Sequence, residues 1–238
     1  MKRYKRSDDT SYALGITLTF ELLINTPGQA KRVYVHSDFE RGETFDRLSS
    51  LCDANKVEMV FSDKPFNILS QKENCYVIGE FSKKYSTLDK TASHIVLNNP
   101  SNAGNLGTIM RSAAGFGIVD LAIIRPAADP FDPKTVRSSM GSIFRLNIEE
   151  FDSFDEYMGK AGQRNVYPFM LKAKKKLNET EFAKPFSLVF GNEATGLDDS
   201  FLSVGTSVII AHSDRIDSLN LPIAASIAMY EATKSSDF

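Results

Sequence analysis

Apolar residues recur along the chain with two periods, and the points where the period changes predict its elements. Leu14, Leu18, Leu22 and Leu23 fall at helical spacing, and Thr26-Pro27-Gly28 ends that helix. Residues 31–35 read as a short strand, Phe45, Leu48, Leu51 and Cys52 as a second helix, 57–61 as another strand and 76–79 as a third. Beyond a polar stretch without clear period, β-branched runs recur at 94–97, 121–124, 144–148, 166–170, 187–190 and 208–210. Helical patterns lie between most of them, at 106–114, 133–140 and 154–161, and a last one covers 219–234. Strand and helix in regular alternation predict an α/β fold with a mostly parallel sheet. The organisation read from this is a small α/β domain over 1–85, a linker over 86–93 and a parallel-sheet domain over 94–238.

Composition fits that picture. Hydrophobic residues make up 42% and charged residues 24% of the 238, as in ordinary globular chains. A chain of this length buries enough surface to need neither disulfides nor a structural metal. The two cysteines, Cys52 and Cys75, match no metal or disulfide framework, which points to a reduced, cytoplasmic setting. No uncharged apolar run is long enough to span a bilayer, and the basic start, MKRYKRSDD, lacks the apolar core of a secretory signal. The net charge of −2 means that any phosphate-binding surface is local. Lys2, Arg3, Lys5 and Arg6 form one basic run, and Lys172, Lys174, Lys175 and Lys176 another; each alone reads as a solvated flank.

Three post-strand segments carry candidate chemistry. The first, 98–117, has turn residues entering a helix whose buried stripe is Leu106, Ile109, Met110 and Ala113, with Arg111 projecting off it. Helix-terminal amides beside Asn102 and Asn105 suit an anionic or polar ligand, and equally a plain capping loop. The second, Gly191-Asn192-Glu193-Ala194-Thr195-Gly196, has P-loop glycine spacing but continues Leu197-Asp198 where Lys and Ser/Thr are needed. A dinucleotide fingerprint fails too, because Gly115-Phe116-Gly117 follows a helix rather than a strand. The third is Ser218-Leu219-Asn220, where Ser218 caps the last helix or serves a site, with Leu219, Ile223, Ile227 and Tyr230 expected to face the core. The three histidines, His36, His94 and His212, have no ligand spacing, so no metal is expected.

Taken together and in order, these segments resemble the SpoU (TrmH-type) family of SPOUT RNA ribose 2′-O-methyltransferases. The first motif is matched by Asn102, Gly104, Asn105, Gly107 and Arg111, the second by Gly191, Glu193, Gly196 and Leu197, and the third by Ser218-Leu219-Asn220. The third departs at its start, where Ile210-Ala211-His212 stands for the usual Ile-Pro-Met, and Pro222 and Ile223 replace small and β-branched residues. The resemblance implies a C-terminal trefoil knot, a homodimer and S-adenosylmethionine as methyl donor. It implies tRNA or rRNA as partner, not DNA, held by a ribosomal-protein-like N-terminal domain. Arg111, Asn105, Glu193, Ser218 and Asn220 would be the catalytic positions, and Gly191, Ile210 and Leu219 would wall the cofactor. The altered third motif keeps a non-catalytic RNA-binding or ribosome-assembly factor on the same fold as the alternative. Base methylation, as in other SPOUT families, is a third reading.

Overall fold

The computed structural model describes residues 3–69 and 74–235, so Lys2 of the first basic run lies outside the described residues. The chain begins β1 (Thr10–Leu14), α1 (Ile16–Asn25), β2 (Ala30–Val35), α2 (Glu43–Asn55), β3 (Glu58–Phe61), α3 (Lys64–Leu69) and β4 (Val77–Ser82). It continues β5 (His94–Asn98), α4 (Ala103–Gly115), β6 (Asp120–Ile124), α5 (Pro133–Ser138), β7 (Asn147–Phe151) and α6 (Phe154–Ala161). The remaining elements are β8 (Asn165–Pro168), β9 (Lys175–Lys176), β10 (Phe186–Phe190), β11 (Val208–Ile209) and α7 (Leu221–Thr233). Among the described residues no helix is long and apolar enough to cross a membrane.

Two compact units emerge, one of residues 1–84 with 129–145 and one of 85–128 with 146–238. The sequence pattern grouped 129–145 with the second domain; the structure packs it into the first unit. Phe144 meets Phe81 edge to face with ring centroids 5.0 Å apart, the Arg145 guanidinium pairs with Glu21 at 2.8 Å, and the Ser11 hydroxyl donates to the Phe131 carbonyl. The first unit's sheet has the order β1-β4-β2-β3, with β4 antiparallel to its neighbours and β2 parallel to β3.

The second unit holds a five-stranded sheet, β7-β6-β5-β10-β8, parallel throughout. Every residue of β6 and β10 is buried, which requires cover on both faces and explains why these runs read as continuous apolar stretches. Inside it, His94 Nε2 donates to the Asp89 carbonyl at 2.8 Å, leaving Nδ1 to accept from Tyr157 at 3.0 Å. Ser187 hydrogen-bonds that tyrosine and is reached in turn by Arg164. This chain satisfies the polar groups of a core that would otherwise penalise them. From β5 the chain moves outward to β6 and β7, then returns to β8 and β10 on the other side. The order of strands therefore reverses between β5 and β10, where parallel sheets place ligands beyond the carboxyl ends.

Several expectations need correction. Leu14 ends β1 rather than starting α1, because Gly15, at φ 115°, breaks the backbone between them. Phe144 and Arg145 lie in a 3₁₀ turn, and the strand begins at Asn147. Lys175 and Lys176 are exposed, as read, and form a two-residue strand paired with β11. In α7 the cap is Asn220, not Ser218. Pro222, Ala225, Ala228, Met229 and Thr233 are its buried face, whereas Leu219 is half-buried and Ile223, Ile227 and Tyr230 are 53%, 38% and 59% exposed. This helix is apolar all round, so periodicity alone does not choose its inner face.

Candidate functional site

The loops leaving β5 and β10 meet at the strand-order reversal. Asn102 starts α4 as its N-cap, its side-chain oxygen accepting from the amides of Gly104 at 2.8 Å and Asn105 at 3.1 Å. Leu106, Ile109, Met110 and Ala113 are fully buried and fix the helix, as their spacing predicts. Arg111 is exposed on the opposite side and makes no ion pair among the described residues.

Glu193, in the loop after β10, ties the two loops together. One carboxylate oxygen accepts from the Ser101 amide at 3.0 Å and the Ser101 hydroxyl at 2.8 Å. The other accepts from the Asn102 amide at 3.1 Å and the Asn105 side chain at 3.2 Å. Burial alone pushes the Glu193 carboxyl up, but the donors from Ser101, Asn105 and its own backbone outweigh it and hold it below the usual carboxylate range. Asn192 adds a second tie, its amide donating to the Asn99 carbonyl at 2.8 Å while its oxygen accepts from the Ala194 amide at 2.8 Å. Position 191 admits only glycine, because a Cβ there would sit 2.2 Å from the carbonyl carbon of Gly196.

Beside this loop pair opens a cavity of about 450 Å³, within the range of small-molecule sites. Gly191, Glu193, Ile210, Ser218 and Leu219 all line it, so the second and third motif segments share one cleft. Asn105 joins that wall through Glu193. Arg111 and Asn220 are not in the lining. The α4 and α7 helices that carry them are joined by a 2.7 Å hydrogen bond between Ser112 and Ser226. Four residues absent from the predicted set belong to the same geometry: Ser101, Asn102, Asn192 and His212. Asn102 carries a readable signal, an Asn just before an apolar-periodic helix. His212, at the altered start of the third motif, also lines the cavity, and its Nε2 is the one buried side-chain nitrogen or oxygen without a hydrogen-bond partner among the described residues.

A parallel α/β sheet whose post-β5 loop is tied to a glycine-bounded post-β10 loop beside a cleft at its strand reversal has the form of a small-molecule-binding α/β protein. Residues 92–230 match the model of the SpoU rRNA Methylase family, more than half of the chain, and the chain belongs to that family. It is similar to an uncharacterized tRNA/rRNA methyltransferase of Synechocystis, at 32% identity over 59% of this chain and 52% of that protein. The chain thus spans about half the length of that relative. It is also similar to the 23S rRNA (guanosine(2553)-2′-O)-methyltransferase of Bacillus subtilis, at 26% identity over 88% of this chain and 83% of that one. Among solved structures, the AdoMet-bound rRNA methyltransferase from Sinorhizobium meliloti superposes with a TM-score of 0.81 at 26% identity, covering 97% of this chain and 89% of that chain.

Proposed function

We propose that this protein is an S-adenosylmethionine-dependent methyltransferase acting on a ribose 2′-hydroxyl of ribosomal or transfer RNA. The observation that carries the reading is the Glu193 carboxylate, which joins the first and second motif loops beside a cleft walled by the second and third. The cleft suits the cofactor: it has room, glycine-bounded backbone at 191–196, apolar wall from Phe190, Ile209 and Leu219, and an unpartnered buried nitrogen on His212. Bound there, S-adenosylmethionine supplies a methyl group together with its own leaving group. Gly191, Ile210 and Leu219 would wall it, and Ser218, Asn220, Asn105 and Glu193 would orient substrate against it.

Arg111 is assigned the electrostatic work. A guanidinium stays charged well past neutral pH, and with no ion pair among the described residues its charge is available to draw in an RNA phosphate and to favour the ionised sugar oxygen. We assign the released proton to the neighbouring phosphate. A 2′-hydroxyl target selects RNA over DNA. The first unit is the assigned RNA-holding domain: Arg41 lies 4.4 Å from the Phe45 ring and 5.1 Å from the Phe61 ring, and Phe61 is 53% exposed, a surface on which a base can stack. The exposed Ile223, Ile227 and Tyr230 of α7 support a homodimer that covers them. Pairing of β11 with β9 and packing of α7 on α4 and β10 support the trefoil path implied for the C-terminal stretch. The two free cysteines support a cytoplasmic setting.

The test is incubation with bulk ribosomal and transfer RNA and labelled S-adenosylmethionine, followed by mapping. The expected result is label in a nucleotide whose 3′ linkage resists alkaline cleavage. Label in an alkali-labile nucleotide would move the assignment to base methylation. Binding of RNA with no label transferred would favour a non-catalytic RNA-binding factor.

A further inference from the structure

The basic run at 172–176 belongs to the same unit as the cleft, and the structure divides its lysines by how their charges are met. Lys172 lines the cleft, but its ammonium lies 2.7 Å and 2.8 Å from the two Asp199 oxygens and is neutralised there. Lys176 lies a looser 3.9 Å from Glu179. Lys174 and Lys175 are exposed, and their side chains make no ion pair among the described residues. They do not stand on a loose flank. Ala173 and Leu177 on either side are buried, Lys175 and Lys176 pair in register with Val208 and Ile209 of β11, and the Lys176 carbonyl accepts from the Thr180 hydroxyl at 2.8 Å. The backbone is fixed where the charges are exposed, so less order has to be gained when an anion binds. β11 runs directly into Ile210, which lines the cleft, so the run borders that site through a paired strand. On a chain of net charge −2, adjacent uncompensated cations on a fixed backbone are the local surface that phosphate binding requires.

We propose that Lys174 and Lys175 form a phosphate-contact ridge that holds the RNA strand beside the cleft, with Lys176 as a weaker third contact. The inference rests on the RNA methyltransferase reading and deepens it, because it gives part of the RNA grip to the unit that carries the cleft and not to the first unit alone. Lysine is a point charge without the planar fork that reads a base edge in two bonds, so it suits backbone phosphates of any sequence. The ridge adds affinity and register, not base selectivity.

The experiment measures binding of end-labelled fragments of bulk ribosomal RNA to the full-length protein across a salt series. It compares wild type with the Lys174→Ala/Lys175→Ala pair, the Lys174→Arg/Lys175→Arg pair and Lys160→Ala. The alanine pair is expected to weaken binding about 2- to 5-fold for each lysine at low salt. It should also make the plot of log affinity against log salt shallower by about 0.7 for each lost contact to single-stranded RNA. The arginine pair, which keeps both charges, should follow wild type. Lys160 is exposed but paired with Glu156 at 2.8 Å, so Lys160→Ala controls for net charge and should leave the slope unchanged. In methyl transfer the alanine pair should raise KM for RNA and leave kcat in place. Its thermal melt and its calorimetric titration with S-adenosylhomocysteine should match wild type, which separates a lost RNA grip from misfolding and from lost cofactor binding. If the folded alanine pair keeps the wild-type affinity and slope, or if Lys160→Ala shifts both as far, the ridge is overturned while the RNA reading stands. If wild type itself binds none of the fragments at low salt, the RNA reading falls and this inference with it.

Discussion

On the β10 side of the cleft, Glu193 accepts three hydrogen bonds from the loop after β5 and one from Asn105 of α4, reaching partners up to 92 residues away. On the α7 side, the side chains of Ser218 and Asn220 make no hydrogen bond among the described residues, and His212 keeps a nitrogen unpaired. One wall is satisfied internally and holds its shape before any ligand arrives. The other leaves its polar groups for whatever binds. Groups that position are paired with the chain, whereas groups that recognise or react are held back from it, and the two kinds should respond differently to substitution.

The largest separation is expected at Arg111, which pairs with no acid among the described residues. Arg111→Ala should lower methyl transfer about 10³-fold, the scale of losing one preorganised charge-stabilising group. The titrated affinity for S-adenosylhomocysteine and the thermal midpoint should stay at wild-type values. A variant that turns over normally on a mapped RNA substrate would remove Arg111 from the reaction. Next comes Asn220, the α7 cap residue whose side chain makes no capping bond. Asn220→Ala should cost about 10- to 100-fold in kcat/KM through lost substrate alignment. Its melting temperature should barely move, because no cap interaction is removed.

Glu193→Gln belongs to the other class. Gln keeps one acceptor oxygen but places an amide donor against the amide of either Ser101 or Asn102, so stability should fall by about 1–2 kcal/mol. For a chain of this size that is a drop of roughly 2–8 °C in thermal midpoint. If Glu193→Gln melts with wild type while Asn220→Ala unfolds early, the division between the two walls is drawn in the wrong place.

How much of this was legible in the sequence follows the same division. The α4 stripe at Leu106, Ile109, Met110 and Ala113 and the buried strands were readable because burial imposes periodicity, and all four stripe residues are fully buried. The three site segments were readable as loops with special chemistry because glycine and asparagine punctuate them. The tie between Glu193 and Ser101 was not, since spacing in sequence says nothing about which loops a parallel sheet brings together. Residues 129–145 were placed in the wrong unit for a related reason. Phe131, Val136, Ile143 and Phe144 demand burial, but a demand for burial does not name the core that meets it. For α7 the pattern was too apolar to discriminate, and the small residues Ala225 and Ala228 turn inward while larger ones face out.

The finest test of the satisfied wall is its response to acid. The Glu193 carboxyl is held below its ordinary value of 4.5, hydrogen bonds outweighing burial. A depressed folded-state value means that its stabilising contribution is complete above pH 4.5 and is lost as pH falls through the folded value. His94 also loses stability on acidification, but in another window. Burial lowers its value from 6.5, so its contribution is complete above pH 6.5 and declines as pH falls from there toward the folded value. Urea midpoints at pH 7.5, 5.5 and 3.5 separate the two. Wild type and Glu193→Gln should lose stability in parallel between the first two conditions, because His94 is common to both. The gap between them should then narrow between pH 5.5 and 3.5, where only wild type has a carboxylate at position 193 to protonate. A gap that is constant across all three conditions would mean that the charge of Glu193 contributes nothing to the joint between the loops, leaving its geometry alone to account for it.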